Sequence, residues 1–306
     1  MCPLTLIEQL KLNNDSVNKF ILDFLPKRDK VNEIQNFYDM MRDYPSRPGK
    51  GLRSSLCILT CETFGGEREK AIRTAAALEV FQNWILIHDD IEDSSEMRRG
   101  EPVLHQKYGM PMAINIGDAL HAKMWDVLMN NQKILGQSKT FELVNEFLRM
   151  INETTEGQHI ELSWVKDKRW TQTEDDYYRM VNKKTSWYTC ISPIRLGAII
   201  ADVEKSNLDA LIPFGSILGT AFQIQDDILN LRGDEKKYGK EQCGDIMEGK
   251  RTLMLIHLLN KSDPKDKEKI LKIMNKSRNK RTPSEVNEIL KLMDKYGTID
   301  YAKTKA

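Results

Sequence analysis

The chain has 306 residues, enough to bury a sizeable core in one large domain or two smaller ones. Its 46 Lys and Arg residues balance 45 Asp and Glu residues, so no overall positive charge indicates a nucleic-acid-binding protein. No apolar run approaches the ~20 residues of a membrane span, and the N-terminus lacks a charged region followed by an apolar one, so we expect a soluble, cytoplasmic protein.

Helical periodicity runs through most of the chain, and sustained strand-like alternation is missing, which predicts an all-α fold. The predicted helices of the first half cover residues 4–25, 30–43, 52–64, 75–87, 112–131 and 138–165. Those of the second half cover 173–183, 185–203, 207–231 and 250–261, and one more begins at Pro283. Turns are predicted at 45–51 and 65–66, and a functional loop at 232–249.

No break in composition marks a domain boundary, so we expect a single domain over residues 1–306. The last helical pattern, at residues 299–303, has hardly begun when the sequence stops, and we expect a further C-terminal helix to be missing from it. The five cysteines show neither metal-ligand spacing nor a disulfide framework, and Cys57 and Cys61, four apart in an apolar helix, are interpreted as small core hydrophobic residues in a reducing compartment.

The apolar helix at 75–87 ends in a cluster of carboxylates, Asp89-Asp90-Ile91-Glu92-Asp93. Its apolar residues fall on nearly all sides, which predicts burial, and buried carboxylates must meet water, a cation or a polar cavity. Asp89 and Asp93 are four residues apart on one helical face. This spacing suits a hard cation such as Mg²⁺ that shares its coordination with water and substrate phosphate.

A second apolar helix repeats this design and ends Phe222-Gln223-Ile224-Gln225-Asp226-Asp227-Ile228-Leu229-Asn230. One acidic cluster alone is more often a solvated helix end. Two clusters, each on an apolar helix and each followed by basic residues, indicate two walls of one site.

Basic side chains precede, follow or flank these motifs. The fork of arginine matches phosphate oxygens, and a glycine-rich turn that leads into a helix favours anions. The positions are Lys50, Arg53, Arg98, Arg99, Lys183, Lys184, Lys240 and Lys250. Any one of them alone would ordinarily be a solvated surface charge.

The order and spacing of these motifs resemble the trans-isoprenyl diphosphate synthases, the polyprenyl synthetase family. The resemblance runs from Gly49-Lys50-Gly51-Leu52-Arg53 to Glu248-Gly249-Lys250-Arg251-Thr252. Between these ends, residues 89–100 and 222–230 resemble the family's two aspartate-rich motifs, residues 156–161 resemble a polar patch of its middle helix, and Lys184-Thr185 matches its Lys-Thr pair. The resemblance implies an isoprenoid synthase fold of about ten helices around a deep central cavity, and a homodimer.

The resemblance also implies the role of each site residue. Mg²⁺ would be bound by Asp89, Asp93 and Asp226. The allylic diphosphate would be held by Arg98, Lys184, Lys240 and Lys250, and isopentenyl diphosphate by Lys50, Arg53, Gln82 and Arg99. Thr185 and Gln223 would present oxygen atoms near the allylic carbon.

The implied reaction condenses isopentenyl diphosphate with dimethylallyl, geranyl or farnesyl diphosphate to give geranylgeranyl diphosphate. Breaking the allylic C–O bond separates diphosphate from a carbocation, so metal ions and cationic side chains must stabilise the leaving charge. An apolar cavity keeps water from quenching the cation. The released diphosphate is the family's usual proton acceptor. Asn230 stands where many members have a third aspartate, and we interpret it as a subfamily trait whose amide oxygen reaches a metal-bound water.

Product length is predicted from the helix that precedes Asp89. The growing chain must pass the side chains one to two turns before that residue, where Trp84 and Phe81 lie. Trp84 is too large to be compressed in a packed interior, which predicts a floor and a short product. Residues of this type also simply fill cores. The motifs favour a C20 product, and C15 remains open because C20 synthases often have a small residue at this position.

Other functions of the same scaffold must be weighed. A class I terpene cyclase would not need a second anion site such as Lys50, Arg53 and Arg99. A non-catalytic partner subunit commonly loses one aspartate motif, whereas both are present here. A plain helical interaction protein leaves the coincidence of acidic and basic motifs unexplained. Farnesyl diphosphate synthase is the alternative within the family.

Overall fold

The computed structural model describes residues 5–47, 49–233 and 242–306, and these residues are helical almost throughout. The first half contains α1 (Leu6–Phe24), α2 (Asn32–Ser46), α3 (Leu52–Thr63), α4 (Arg68–Glu92), α5 (Leu104–Tyr108), α6 (Met110–Met129) and α7 (Gln132–Lys166). The second half contains α8 (Glu174–Val181), α9 (Ser192–Ile200), α10 (Lys205–Leu208), α11 (Ile212–Arg232), α12 (Gly244–Glu248), α13 (Leu253–Lys261), α14 (Pro264–Met274), α15 (Pro283–Lys295) and α16 (Thr298–Lys305). The all-α prediction is confirmed.

Shorter elements connect these helices. A two-stranded sheet of β1 (Met97–Arg98) and β2 (Glu101–Pro102) follows α4. A π-helix, Asn182–Ile191, joins α8 to α9, and 3₁₀ turns lie at Asp209–Leu211 and Arg278–Lys280. The described part of the chain therefore holds more helices than the ten expected, since short ones separate the long ones.

The described residues form two compact units that alternate along the sequence. Unit 1 comprises residues 1–92, 102–151 and 188–215, and unit 2 comprises residues 93–101, 152–187 and 216–306. Each unit has its own hydrophobic core. The expectation of a single domain stays a prediction.

In unit 1, α4 packs against α1, α3 and α6. Its residues 75–78 are fully buried, because the small side chains of Ala75, Ala76 and Ala77 let neighbouring helices approach from several sides. The helix begins at Arg68, earlier than the apolar pattern predicted. Residues 68–73 are rich in charge, and Arg68 stabilises this first turn by donating to Asn13 Oδ1 of α1 at 3.0 Å.

In unit 2, α13 occupies the centre and contacts α8, α15 and α16. Every residue from Leu253 to Leu259 is buried, so the helix is apolar on all sides. Ile299 and Ala302 of α16 are buried in the same core. The pattern that seemed hardly begun at the end of the sequence is thus a packed helix.

Other boundaries show how local signals work. Thr173 caps α8: its hydroxyl accepts from the Asp176 backbone N–H while the Asp176 carboxylate accepts from the Thr173 N–H. The turn predicted from Pro45 starts later, because α2 continues through Ser46. Pro45 lies in the last turn, where it removes one i→i−4 hydrogen bond, and the helix ends one residue further on. Within the described residues, no helix is both long and apolar enough to cross a membrane.

Candidate active site

The two leading aspartates of the first acidic motif, Asp89 and Asp90, lie in different environments. Asp90, on the last turns of α4, is 0% exposed, and its Oδ2 accepts a hydrogen bond of 2.6 Å from the hydroxyl of buried Tyr44. Asp89 is half-buried. Adjacent residues on a helix lie about 100° apart, so the two carboxylates point in different directions. Asp89 is the one placed to meet a ligand.

Unit 1 holds three of the residues predicted to bind isopentenyl diphosphate, Lys50, Arg53 and Gln82, whereas Arg99 belongs to unit 2. Arg53 is buried, donates to Thr189 Oγ1 at 2.9 Å and stacks on the Tyr188 ring at 4.3 Å. With its amide assigned from its hydrogen-bond partners, Gln82 accepts from Arg53 Nη1 at 2.9 Å and donates to Glu79 at 2.8 Å. The structure therefore brings Arg53 and Gln82 together.

Lys50 lies on the turn that leads into α3, and its side chain is exposed. Gly51 follows in the left-handed conformation at φ 58°, and a Cβ there would lie 2.5 Å from Asn14 Oδ1. Only glycine fits this turn, which sets the direction in which α3 starts. Arg98 on β1 is buried, and Arg99 adopts φ 55° in the tight connection to β2.

In unit 2, Lys250 contacts the end of the first acidic motif. Its Nζ donates to Asp93 Oδ2 at 2.6 Å and pairs with Glu248 Oε2 at 2.7 Å, while Asp245 lies at 3.9 Å. The structure thus brings together two predicted site residues that are 157 positions apart in sequence. A cation among three carboxylates is arranged to exchange partners with a metal-bound diphosphate.

The two aspartates of the second acidic motif, Asp226 and Asp227, also lie in different environments. Asp226 of α11 is half-buried, whereas Asp227 is 5% exposed and accepts from the Tyr177 hydroxyl at 2.9 Å. Burial raises the pKa of Asp227 to about 7, although its hydrogen bonds act to lower it. Gln223 donates to Asp227 Oδ1 at 2.6 Å and accepts from Thr185 Oγ1 at 2.7 Å, so Thr185 and Gln223 lie together as predicted.

Lys184 and Thr185 lie in the π-helix, and not at the start of an α-helix as the sequence suggested. Such segments occur frequently at functional sites. Gly157 of α7 explains the geometry, because a Cβ at this position would lie 2.2 Å from the Lys184 backbone nitrogen. The Lys184 ammonium forms an ion pair with buried Glu161 of α7. The α7 polar patch therefore holds the Lys-Thr pair through both backbone and side chain.

Asn230 has a structural partner within unit 2. It is buried, and its Oδ1 accepts from the Asp245 backbone N–H at 3.1 Å, at the first turn of α12. Its carbonyl accepts from the Cys243 N–H at 2.8 Å. An amide oxygen satisfies a helix N-terminus as a carboxylate would, which accounts for asparagine at this position. Lys240, predicted to bind diphosphate, lies outside the described residues.

The donor set fits a hard divalent cation. Asp89, Asp93 and Asp226 offer carboxylate oxygens, the ligands that Mg²⁺ prefers. Across the described ranges, no three His, Cys, Asp or Glu side chains are already gathered as a metal centre. Mg²⁺ commonly binds through one or two carboxylates and completes its coordination with water and substrate phosphate, so a preformed cage is not needed.

Trp84 and Phe81 contact each other in unit 1, with their rings edge to face at 5.5 Å. Trp84 also stacks on His121 of α6 at 4.1 Å, and Phe81 lies 5.9 Å from Tyr188. The Trp84 indole N–H is buried, and no group among the described residues accepts a hydrogen bond from it. The predicted floor is thus one part of an aromatic cluster, and its effect on product length stays a prediction.

Several residues around the site were not identified from the sequence: Tyr44, Glu79, His121 and Tyr177. Gly157 was included in the polar patch, but its packing role was not recognised. A glycine inside a helical pattern costs about 1 kcal/mol against alanine, so Gly157 was a readable signal of close packing. The two tyrosines gave no such signal. A tyrosine at helical spacing is usually interpreted as a core residue, and only the structure shows which group its hydroxyl contacts.

These features define a class of protein: an all-α enzyme with the isoprenoid synthase fold. The chain belongs to the polyprenyl synthetase family, whose model matches residues 34–293. It is therefore a prenyltransferase.

Known proteins resemble the chain along most of its length. The geranylgeranyl diphosphate synthase of Sulfolobus acidocaldarius is 35% identical over 267 residues, which cover 87% of this chain and 78% of that protein. The solved geranylgeranyl pyrophosphate synthetase of Pyrococcus horikoshii has a TM-score of 0.83 and 34% identity, covering 98% of this chain and 88% of that one. A geranylgeranyl pyrophosphate synthase of Corynebacterium glutamicum, solved with isoprenyl diphosphate and magnesium, has a TM-score of 0.87 and 25% identity over 99% and 90% of the two chains.

Proposed function

We propose that this protein is a geranylgeranyl diphosphate synthase that adds isopentenyl diphosphate to allylic diphosphates up to C20, with Mg²⁺. The observation that carries the proposal is the contact of Lys250 with Asp93, at 2.6 Å. Lys250 is a predicted cation for the diphosphate and Asp93 a predicted carboxylate ligand of the metal, and the two residues are 157 positions apart in sequence. The names of the relatives from Sulfolobus acidocaldarius and Pyrococcus horikoshii favour C20 over C15.

Magnesium, held by Asp89, Asp93 and Asp226, would neutralise the diphosphate that leaves the allylic carbon. The cations Arg98, Lys184, Lys240 and Lys250 bind the same diphosphate. On binding it, Lys184 exchanges its ion pair with Glu161, and Lys250 its pairs with Asp93 and Glu248. The positive side chains are thus already in place to stabilise the negative charge that develops on the leaving diphosphate during ionisation.

The second substrate is held by Lys50, Arg53, Gln82 and Arg99. Arg53 is fixed from three sides, by the Thr189 hydroxyl, the Tyr188 ring and Gln82, so little rotamer freedom is lost when isopentenyl diphosphate binds. The double bond of that substrate then attacks the allylic cation, and a proton is lost to the released diphosphate. Thr185 and Gln223 present oxygens to the cation while the reaction proceeds.

The test is a product assay. The purified chain is incubated with isopentenyl diphosphate, Mg²⁺ and each of the dimethylallyl, geranyl and farnesyl diphosphates, and the products are dephosphorylated and separated by chain length. We expect geranylgeraniol from all three primers. A C15 product would assign a farnesyl diphosphate synthase instead, a cyclic hydrocarbon a terpene cyclase, and absence of turnover a partner subunit.

Asp89→Ala is the variant that links this activity to the site. It removes one carboxylate from the metal site, and we expect turnover to fall about a hundredfold or more, comparable with the loss of one preorganised electrostatic donor. Chelation of the metal with EDTA should abolish turnover, and added Mg²⁺ should restore it. A near-normal rate for Asp89→Ala contradicts the assignment.

The proposal includes a homodimer in the cytoplasm. Unit 1 exposes large apolar side chains on two consecutive helices, among them Met112 and Ile114 of α6 and Phe141 and Leu148 of α7. Phe141 and Leu148 lie seven residues apart on one face of α7, and an exposed apolar face is typical of a surface that a second copy covers.

A further inference from the structure

The carboxylate of Asp227 has both oxygens occupied by protein partners. Its Oδ2 accepts from the Tyr177 hydroxyl at 2.9 Å, and its Oδ1 accepts from Gln223 Nε2 at 2.6 Å. Tyr177 is 1% exposed and Asp227 is 5% exposed. Its neighbour Asp226 is half-buried and lies about 100° further around α11. The two adjacent aspartates are therefore not interchangeable.

Asp227 determines which way the Gln223 amide points. An amide has one acceptor oxygen and one donor nitrogen, and the nitrogen is committed to Asp227. The oxygen must then face the other way, where it accepts from Thr185 Oγ1 at 2.7 Å. A chain of three hydrogen bonds thus runs from Tyr177 through Asp227 and Gln223 to Thr185. The last two are the residues assigned to the allylic carbon.

The first motif repeats the arrangement independently, within unit 1. Asp90 is the second aspartate of that motif, is 0% exposed and accepts from the hydroxyl of Tyr44 at 2.6 Å. Tyr44 is itself held under the Arg47 guanidinium at 4.4 Å. In both motifs, then, the second aspartate turns into the protein and meets a buried tyrosine.

We propose that the second aspartate of each motif is a positioning residue held by a tyrosine, Asp227 by Tyr177 and Asp90 by Tyr44, and is not a ligand of the metal. Asp227 acts through Gln223 on Thr185. Asp90 anchors the last turns of α4, from which Asp89 extends. The inference rests on the proposed function, since it concerns residues that serve that chemistry.

The decisive comparison is Asp226→Asn against Asp227→Asn. Asparagine at 227 keeps an oxygen for Gln223, and its amide nitrogen can donate to the Tyr177 hydroxyl, which also accepts. We expect Asp227→Asn to lose less than about fivefold in kcat, the equivalent of one ordinary hydrogen bond, with an unchanged Mg²⁺ requirement. Asp226→Asn removes charge from the metal site and should lose about a hundredfold, with a raised Mg²⁺ requirement.

A double-mutant cycle tests the path through Gln223. Asp227→Ala leaves Gln223 without its orienting partner, and we expect kcat to fall about tenfold to a hundredfold, as when a buried polar group loses its partner. In a Gln223→Ala background the same change should cost little more, because the residue it orients is already gone. Additive losses would show that Asp227 acts by another route.

Two failures can be told apart. If the wild-type chain makes no elongated product, both the proposed function and this inference are wrong. If the wild-type chain is active but Asp227→Asn is as damaged as Asp226→Asn, or needs more Mg²⁺ than wild type, the inference alone is overturned. Loss of thermal stability in Asp227→Ala with normal kcat at low temperature also overturns it, because the role would then be structural only.

Discussion

Lys50 and Arg53 are assigned to the same substrate but lie in different surroundings. Arg53 is buried and held by three partners, whereas the Lys50 side chain is exposed on the turn before α3. We expect Lys50→Ala to raise the KM for isopentenyl diphosphate about tenfold, the worth of one charged contact, with kcat nearly unchanged. The reason is that Lys50 binds the diphosphate equally in the ground and transition states.

Steady-state kinetics with each substrate varied in turn measure this effect. Lys30→Ala, another exposed lysine of unit 1, is the control and should leave both KM values as they are. A loss confined to kcat, or a raised KM for the allylic substrate only, would contradict the assignment of Lys50.

Trp84 is the residue on which product length depends in our interpretation. It stacks on His121 and contacts Phe81, so its ring is fixed and cannot yield to a longer chain. Trp84→Ala, alone or with Phe81→Ala, should shift the product from C20 to longer chains, as measured by chromatography of the dephosphorylated products. Trp125→Ala is the control, because Trp125 also contacts His121, through a hydrogen bond of 3.0 Å from its indole N–H. If both Trp84 variants give the wild-type product, the floor lies elsewhere.

Site residues could be predicted from the sequence wherever the chemistry requires a particular residue type at a fixed spacing. Asp93 and Lys250, Arg53 and Gln82, and Thr185 and Gln223 were all predicted as site residues, and the structure brings each pair into contact. The partners Tyr44 and Tyr177 were not found, since they act through tertiary contacts that no local pattern encodes, whereas Glu161 lies in the polar patch that the sequence had indicated. Asn230 was interpreted as a neutral residue that replaces an aspartate near the metal. In the structure its amide oxygen accepts a hydrogen bond from the Asp245 backbone N–H in the first turn of α12.

At the scale of helices, apolar periodicity predicted most elements to within a few residues. The π-helix is the exception. The same side chains can form i→i−4 or i→i−5 hydrogen bonds, and the choice depends on neighbouring helices. Two glycines approach this segment: Gly157 of α7 against the Lys184 backbone, and Gly219 of α11, where a Cβ would lie 2.5 Å from Ser186 Cα. Packing from two sides thus determines a conformation that no single stretch of sequence specifies.

Gly157→Ala tests this account. A Cβ would meet three backbone atoms of Lys183 and Lys184 at 2.2 to 2.7 Å, and backbone cannot rotate away as a side chain can. We expect a loss of about 1–3 kcal/mol in the free energy of unfolding, as for other overpacked sites. The displaced Lys184 should also raise the KM for the allylic diphosphate.

Denaturant unfolding and substrate kinetics measure the two effects. Ser163→Ala, a small substitution on the same helix, is the control for changes to α7 in general. A Gly157→Ala protein as stable and as active as wild type would mean that the π-helix does not depend on this contact.

At the scale of the whole molecule, the chain alternates between its two units, and the divisions at 151, 187 and 215 fall within helical segments. Consecutive stretches of sequence therefore contribute to different hydrophobic cores. This explains why composition showed no boundary: each core draws on helices from distant parts of the chain, and no linker rich in Pro, Gly or Ser is needed between them.

Unit 1 exposes an apolar face on α7, from which we predict a dimer. Phe141 and Leu148 of α7 are seven residues apart on one helical face and are 64% and 45% exposed. Burying such side chains against a second copy gains roughly 1.5–3 kcal/mol each, a gain that a monomer forgoes. We expect light scattering to give twice the mass of one chain, and Phe141→Asp with Leu148→Asp to give the mass of one. Ile7→Asp, at an equally exposed apolar residue of α1, should leave the mass doubled. A wild-type monomer at micromolar concentration would contradict the prediction, because the apolar face of α7 would then be stable in water.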